Sequence, residues 1–138
     1  MTTRPAPIPD ELSAPYWAAA ANGSAVLPRC GSCGQFDLPP EPVCRRCGSV
    51  EPDWRYETVS GRGSIISWTI VRKSFVPGFD VPFVLVDVAV DEQPDLRLIG
   101  RLVDGADVAL ELGDQVETVH EPIDDDRAVP AYRLVGRG

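Results

Sequence analysis

Four cysteines are the residues of this chain whose type and spacing predict chemistry most directly. They form two Cys-x-x-Cys pairs, Cys30 with Cys33 and Cys44 with Cys47, separated by ten residues. Such a pair presents two thiolates from one tight turn, and two pairs supply the four sulfurs of a tetrahedral zinc site. The spacing therefore predicts a zinc ribbon with a structural Zn²⁺. Because a four-cysteine site has no open coordination position, this zinc should stabilise the fold and activate no water.

The glycines beside these cysteines fit knuckle turns. Gly31, Gly34 and Gly48 stand where the backbone is expected to need conformations, often with positive φ, that glycine adopts at the lowest cost. Two disulfides, a redox Cys-x-x-Cys and an iron-bearing rubredoxin site are the alternatives. Disulfides suit oxidising compartments and no signal peptide precedes the motif, a redox site would use one pair, and rubredoxin knuckles lie farther apart in sequence. We therefore expect a protein of the reducing cytoplasm.

Charge is spread unevenly along the 138 residues, a length that suits one compact unit or two very small ones. The net charge is −8, yet residues 29–73 carry +2 and residues 74–138 carry −9. A strongly acidic half repels nucleic-acid phosphates, whose contacts dominate that kind of binding. The basic residues cluster near the ribbon, so an anionic ligand would be met there. No apolar run approaches the roughly 18 residues of a membrane span.

A short helix is predicted ahead of the cysteines. Ser13 suits an N-cap and Gly23 is a natural stop, which places the helix at about Ala14–Ala21. Its only large side chains are Tyr16 and Trp17. Two interpretations are open for them: they fasten the helix to the body of the protein, or they face a partner or an apolar ligand.

The remainder of the sequence has β patterns. Strands at 25–29 and 53–59 flank the cysteines and complete the ribbon. After the break Ser60-Gly61-Arg62-Gly63 come five runs rich in β-branched and aromatic residues, at 64–71, 83–90, 96–102, 115–120 and 131–135. The alternating valines of the second run, Val84 to Val90, should face a core. Five strands at this spacing favour a small barrel, with the OB-fold as the leading candidate.

These patterns predict a mainly β protein in three parts. The N-terminal tail and helix take residues 1–24, the four-cysteine zinc ribbon takes 25–59, and the five-stranded OB-fold barrel takes 60–138.

Two loops of the predicted barrel differ in character. The first, residues 72–82, brings two cations and two aromatics together: Arg72, Lys73, Phe75 and Phe79. Aromatics on a loop with Pro and Gly suggest contact with another molecule, although the loop could equally fold back over the barrel mouth. The second loop, residues 121–130, is acidic and is predicted to be a solvated turn, with a carboxylate metal site as the alternative.

Catalytic groups are scarce. The sole histidine, His120, ends a predicted strand, and the neighbouring Glu121 should point to the opposite face of that strand. All four cysteines are assigned to the metal, and neither a Gly-x-Ser-x-Gly elbow nor a phosphate-binding glycine loop is present. This favours a binding or accessory module over an enzyme that acts alone.

The order of these features resembles a known family. A helix with Tyr-Trp precedes a strand into Cys-x-x-Cys-Gly, the step Leu38-Pro39-Pro40, a second Cys-x-x-Cys-Gly, and Ser-Gly-Arg-Gly before the barrel. From about Tyr16 to Tyr132 the chain resembles the OB-fold proteins with a rubredoxin-like zinc ribbon that accompany thiolase-like enzymes. The resemblance implies an accessory subunit in acyl-CoA metabolism, paired in a hetero-oligomer with a thiolase-like or hydratase-like protein. One actinobacterial branch pairs with a thiolase-like aldol lyase of steroid side-chain degradation, and there the partner carries out most of the catalysis.

Two classes of function follow. The first is a non-catalytic subunit of a thiolase-like enzyme, for example a retro-aldol lyase that cleaves a steroid side-chain β-hydroxyacyl-CoA. The candidates for contact with the partner or the acyl group are Tyr16, Trp17, Phe75 and Phe79. The candidates for CoA phosphates are Arg62, Arg72 and Lys73, because cationic side chains, arginine above all, suit phosphate recognition. The second class is a nucleic-acid-binding zinc-ribbon and OB module, which the acidic barrel opposes.

Overall fold

The computed structural model describes residues 4–136. Within them lie one helix and seven strands: α1 Ala14–Ala21, β1 Val26–Arg29, β2 Arg55–Thr58, β3 Arg62–Val71, β4 Phe83–Val90, β5 Gln93–Arg101, β6 Gln115–Pro122 and β7 Ala128–Leu134. The predicted mainly β fold with a short N-terminal helix is confirmed. No helix in this part of the chain is long and apolar enough to cross a membrane.

Strands β3 to β7 form one sheet in the order β5-β4-β3-β6-β7, and every neighbouring pair is antiparallel. A parallel bridge joins Leu102, directly after β5, to Tyr132 of β7. This bridge connects the two outer strands of the sheet, so the sheet curls into a five-stranded barrel. The predicted OB-fold is confirmed.

The barrel interior is filled with aliphatic side chains. In β4 the residues from Val84 to Val90 alternate between buried and half-buried, as the sequence pattern predicts. Ile65 of β3, Leu102 directly after β5 and Val116 of β6 are fully buried in the same cluster. Ala106, Val108 and Leu110, in the connection between β5 and β6, pack against this core.

The acidic loop is shorter than the sequence predicts. The predicted loop 121–130 is reduced to a tight turn, because Glu121 and Pro122 still pair with Val129 and Ala128. Strand β7 lies at the edge of the sheet, where the missing N–H of a proline is tolerated. Asp124 closes the turn by accepting hydrogen bonds from two backbone N–H groups of residues 126 and 127.

The helix begins where it is expected, with Ser13 at the N-cap position, but the Ser13 side chain does not cap it. The Ser13 hydroxyl makes no capping bond to the first turn, since Ser13 itself has helical dihedral angles. Instead its Oγ accepts the Asp10 N–H at 3.0 Å, and Asp10 Oδ1 accepts the Ser13 N–H at 2.7 Å. This reciprocal pair organises the turn that precedes α1.

A second apolar cluster joins the ribbon to the barrel, and we call it the seam. It contains Leu27 and Phe36 from the ribbon and Val90 and Leu96 from the barrel, with Tyr16 of α1 packed against it. The ribbon and barrel therefore share buried surface. The division at residue 60 stays a prediction.

Candidate functional site

The four cysteine sulfurs converge on one point. All four Sγ atoms lie within 4.8 Å of one another, and the pairs Cys30–Cys47 and Cys33–Cys44 are 3.9 Å apart. Four sulfurs at about 2.3 Å from a tetrahedral zinc lie about 3.8 Å apart, so the spacing fits a zinc ion. A disulfide needs about 2.05 Å, which excludes that alternative. Within residues 4–136 this is the one cluster of three or more His, Cys, Asp or Glu side chains at such distances.

The two knuckles have the same backbone design. In each, the N–H of the glycine after the second cysteine donates to the carbonyl of the first cysteine, at 2.8 Å from Gly34 to Cys30 and from Gly48 to Cys44. Both glycines have positive φ, +76° and +77°. A side chain at either position would be strained, so the predicted role of these two glycines is confirmed.

Gly31 is required for a different reason than the predicted one. Its φ is not in the positive region, but a Cβ there would lie 3.1 Å from the backbone oxygens of Pro52 and Asp53. Its N–H also donates to the Pro52 carbonyl at 2.6 Å. Gly31 thus lets the segment before β2 approach the first knuckle closely.

The metal centre is closed to reactants. Cys30 and Cys44 are 1% exposed and Cys47 is exposed, so it is the coordination that closes the centre, because four thiolates fill the coordination sphere of zinc. Desolvation raises the pKa of the Cys30 thiol, but hydrogen bonds from the backbone of Cys33 and Ser32 outweigh it and lower the pKa to about 7. The zinc, when bound, links the two knuckles.

An ion pair supports the ribbon beside the metal. The guanidinium of Arg45 donates to both oxygens of Asp37, at 2.9 and 2.6 Å, and Asp37 is 3% exposed. The hydrogen bond and charge of Asp37 raise the pKa of Arg45. The segment leaving the first knuckle is thereby tied to the second.

Gln93 is a structural residue that sequence reasoning missed. Its amide accepts the Phe36 N–H at 2.9 Å and donates to the Phe36 carbonyl at 2.8 Å. Gln93 is buried, so these two bonds satisfy a polar side chain inside the seam. No local pattern in the sequence signals this role, because the partner lies 57 residues away.

The two helix aromatics have different surroundings. Their rings meet edge to face with centroids 5.0 Å apart. Tyr16 packs against the seam, and burial raises the pKa of its hydroxyl. Trp17 lines a groove of about 610 Å³ together with Tyr16, the exposed Ile99 and the Leu38-Pro39 step. Tyr16 thus fastens the helix to the seam, and the rings of both Tyr16 and Trp17 border a groove on the outside of the molecule.

The three candidate phosphate-binding cations are not brought together. Arg62 opens β3 and lies 3.8 Å from Glu117, whereas Arg72 and Lys73 follow the other end of the same strand. Ten extended residues span roughly 30 Å, so the three cations cannot surround one phosphate.

The two loop aromatics are also distinct. Phe79 stacks on Phe83 at a centroid distance of 5.7 Å, and the Arg4 guanidinium lies 4.7 Å from the Phe79 ring centre. Phe75 is 86% exposed and meets only the Lys73 ammonium, 5.2 Å from its ring centre, among the ring contacts of the described residues. Phe79 anchors the loop and Phe75 projects from it.

His120 lies on the opposite side of the barrel wall from Glu121, as the strand alternation predicts. It lines a cavity of about 40 Å³ with Tyr16 and Tyr132, and burial lowers its pKa. That volume holds a few water molecules and no acyl chain. His120 also lines a surface depression of about 230 Å³ beside the turn that contains Asp124. Glu121 pairs with Arg4 and Arg101, and although burial alone would raise its pKa, these partners lower it.

Comparisons with known proteins identify both halves of the chain. Residues 17–52 match the family model described as ChsH2, rubredoxin-like zinc ribbon domain. Residues 56–121 match the model described as ChsH2, C-terminal OB-fold domain.

Two relatives extend this match. A chain of the solved Ltp2-ChsH2(DUF35) aldolase superposes with a TM-score of 0.79 at 29% identity, over 93% of this chain and 98% of that one. A probable enoyl-CoA hydratase alpha subunit of Thermomonospora curvata is 30% identical over 130 residues, which are 94% of this chain. The chain spans 40% of the length of that curated relative.

Proposed function

Since this chain belongs to the ChsH2 family of zinc-ribbon and OB-fold proteins, whose two domain models together match 102 of its 138 residues, we propose that it is an accessory subunit of an acyl-CoA enzyme. The observation that carries the proposal is its likeness to nearly the whole of one chain of an aldolase complex. We further propose that the partner is a thiolase-like lyase and that the complex works in the cytoplasm.

The proposed reaction is retro-aldol cleavage of a β-hydroxyacyl-CoA, with a steroid side chain as the acyl group. The Cα–Cβ bond breaks, the β-hydroxyl becomes a carbonyl as it loses its proton, and Cα takes up a proton. Such a step needs a base and a stabilised enolate oxygen, and in this proposal the partner supplies both.

The chemistry of the chain itself supports a non-catalytic role. Its metal site has all four positions occupied by sulfur. Its single histidine lines one cavity too small for an acyl chain and one depression of about 230 Å³ at the surface. Contact with acyl-CoA would therefore occur at the surface or at the subunit interface. Tyr16, Trp17, Arg62, Arg72, Lys73, Phe75 and Phe79 remain the proposed contact residues.

A hydratase-type partner is the second candidate, because the Thermomonospora curvata relative is named a hydratase alpha subunit. In that case the complex would add water to an enoyl-CoA. The nucleic-acid alternative is disfavoured by the net charge of −8.

Co-expression tests both candidates. The chain is used as bait for a thiolase-like protein and, separately, a hydratase-like protein from the same genome. Each complex is assayed on a β-hydroxyacyl-CoA and on an enoyl-CoA, with every subunit alone as a control. Cleavage only by the complex with the thiolase-like protein supports the proposal, whereas hydration supports the second candidate. Absence of any complex, or full activity of this chain alone, contradicts an accessory role.

A further inference from the structure

Strand β3 changes character halfway along its length. Residues 62–64 pair with β6, residues 63 and 64 also pair with β4 on the other side, and pairing with β6 ends at Ser64. After a register shift at Ile66, the strand continues to Val71 with β4 as its only paired strand. We call residues 66–83, which include this half-strand and the following loop, the hairpin arm.

The arm presents apolar side chains that the barrel does not cover. Trp68 and Ile70 stand opposite the buried Val86 and Val84 and therefore lie on the core-facing side of the sheet. They are nevertheless 38% and 37% exposed, while Ile65, before the shift, is fully buried. The core-facing side of the sheet thus extends beyond the closed part of the barrel, where it is partly exposed to solvent.

The loop at the end of the arm adds further apolar surface in an organised shape. Phe75 is 86% exposed, Val76 is 45% exposed and Val81 is 43% exposed. The Ser74 hydroxyl bridges the N–H and C=O of Val76 at 3.2 and 3.0 Å, and Phe79 is stacked against the base of the arm. A prearranged loop loses less conformational entropy on binding, which favours a docking role.

The charges of the arm differ from those of the rest of the molecule. Residues 4–136 contain twelve Lys and Arg side chains, and ten of them form an ion pair with a carboxylate. Within residues 4–136, the two basic side chains that form no ion pair are Arg72 and Lys73, which are adjacent on the arm. The arm carries a net charge of +1, because Asp80 offsets one cation, in a chain of net charge −8.

We propose that the hairpin arm is the main docking element for the partner subunit, whose complementary surface is an apolar patch bordered by carboxylates. This inference rests on the proposed function. A Phe or Trp side chain buries about 150–250 Å² of surface when it is enclosed in a contact. Phe75 and Trp68 therefore act as anchors at the centre of the interface. Arg72 and Lys73 meet the acidic border, where opposite charges guide association.

Other occupants fit this chemistry less well. In a symmetric contact between two arms, the cations of one copy would face those of the other. A membrane surface is recognised by clusters of about four to eight basic residues, and this chain offers two on the arm and is acidic as a whole.

The test compares arm variants with matched controls in binding to the partner identified by co-expression. Phe75→Ser and the double variant R72E/K73E are measured beside Val50→Ser, a 77% exposed apolar residue of the ribbon, and Arg55→Glu, an exposed ribbon arginine. We expect each arm variant to raise the Kd at least about tenfold and each control to change it less than about twofold. Because these side chains are exposed, the variants should keep the wild-type circular dichroism and zinc content.

Ionic strength gives a second measurement. The wild-type Kd should rise between 50 and 500 mM NaCl, and this slope should flatten in R72E/K73E. Equal affinity of wild type and both arm variants for the partner would contradict the docking role of the arm and would leave the accessory role of the chain intact. If the wild-type chain binds neither partner, the proposed function itself fails. Self-association that Phe75→Ser abolishes would assign the arm to a second copy of this chain and would also overturn the proposal.

Discussion

The barrel and the ribbon of this molecule are held together by different means. The barrel buries a continuous aliphatic core, with Ile65, Val86, Leu102 and Val116 at essentially zero exposure. The ribbon's paired strands have four residues each, and its centre is four sulfurs instead of packed side chains. Hydrophobic burial scales with area and needs no ligand, whereas so small a ribbon depends on its metal. The seam is where the two kinds of stabilisation meet.

The largest expected effect comes from the metal. Replacing the buried Cys44 by Ser should unfold the ribbon while the barrel amides remain protected from hydrogen exchange. Structural zinc in small domains contributes about 10–16 kcal/mol, which the ribbon has no core to replace. Zinc content and amide exchange of residues 26–58 against 62–134 measure the difference, with Ser32→Ala, at an exposed non-ligand position of the first knuckle, as the control. A Cys44→Ser protein with full zinc and a protected ribbon would refute the comparison.

A cavity in the barrel core should lower the stability of the protein without changing its zinc content. Leu102→Ala removes a fully buried side chain and should lower the free energy of unfolding by about 2–5 kcal/mol, with zinc content unchanged. Leu112→Ala, at a position that is 71% exposed, should change it by less than about 0.5 kcal/mol. Denaturant unfolding of both variants gives the values. If both variants lose similar amounts of unfolding free energy, the barrel core is not the main source of the stability of the protein.

The seam should respond at an intermediate level. Gln93→Ala leaves the N–H and C=O of Phe36 without their buried partner, which costs about 1–3 kcal/mol. We expect faster amide exchange in the ribbon with zinc still bound. Gln35→Ala, an exposed neighbour of Phe36, serves as the control. If the two variants behave alike, Gln93 does not couple the ribbon to the barrel.

The smallest expected effect is a pH dependence at His120, the sole histidine. Burial lowers the pKa of His120 from 6.5, so the folded protein takes up this proton at lower pH than the unfolded chain. Its contribution to stability is therefore present above about pH 6.5 and is lost as the pH falls through the folded pKa. The Tm of zinc-loaded protein from pH 7.5 to 5.5 should fall more steeply for wild type than for His120→Gln. If Tm falls equally steeply with pH in both proteins, groups other than His120 cause the pH dependence.

Much of the fold could be predicted because its signals are local. The Cys-x-x-Cys spacing, the glycines after each pair and the alternating valines of β4 each depend on neighbours a few residues away. The boundaries at the β6–β7 turn were wrong because pairing across the sheet extends both strands past a proline. Ser13 holds the predicted N-cap position, but its side chain bonds to the backbone of Asp10 and not to the first turn of the helix.

The candidate site was predictable in part. Its metal ligands follow from spacing alone, whereas the contact residues depend on what lies beside them in space. Phe75 and Phe79 are four residues apart on one loop, yet one projects into solvent and the other is stacked on Phe83. Two arginines differ in the same way. Arg62 lies beside the carboxylate of Glu117, whereas no described residue provides a carboxylate to Arg72.

By itself the sequence determined the chemistry of this protein: a four-sulfur metal centre, a β barrel, an acidic surface and scarce catalytic groups. These are properties of residue type and short-range spacing. Only the tertiary structure decided which cations are neutralised, which aromatics are anchored, that Gln93 bonds the ribbon backbone and that β3 continues past its pairing with β6. Those outcomes depend on contacts between residues far apart in the chain, which strand register and packing bring together.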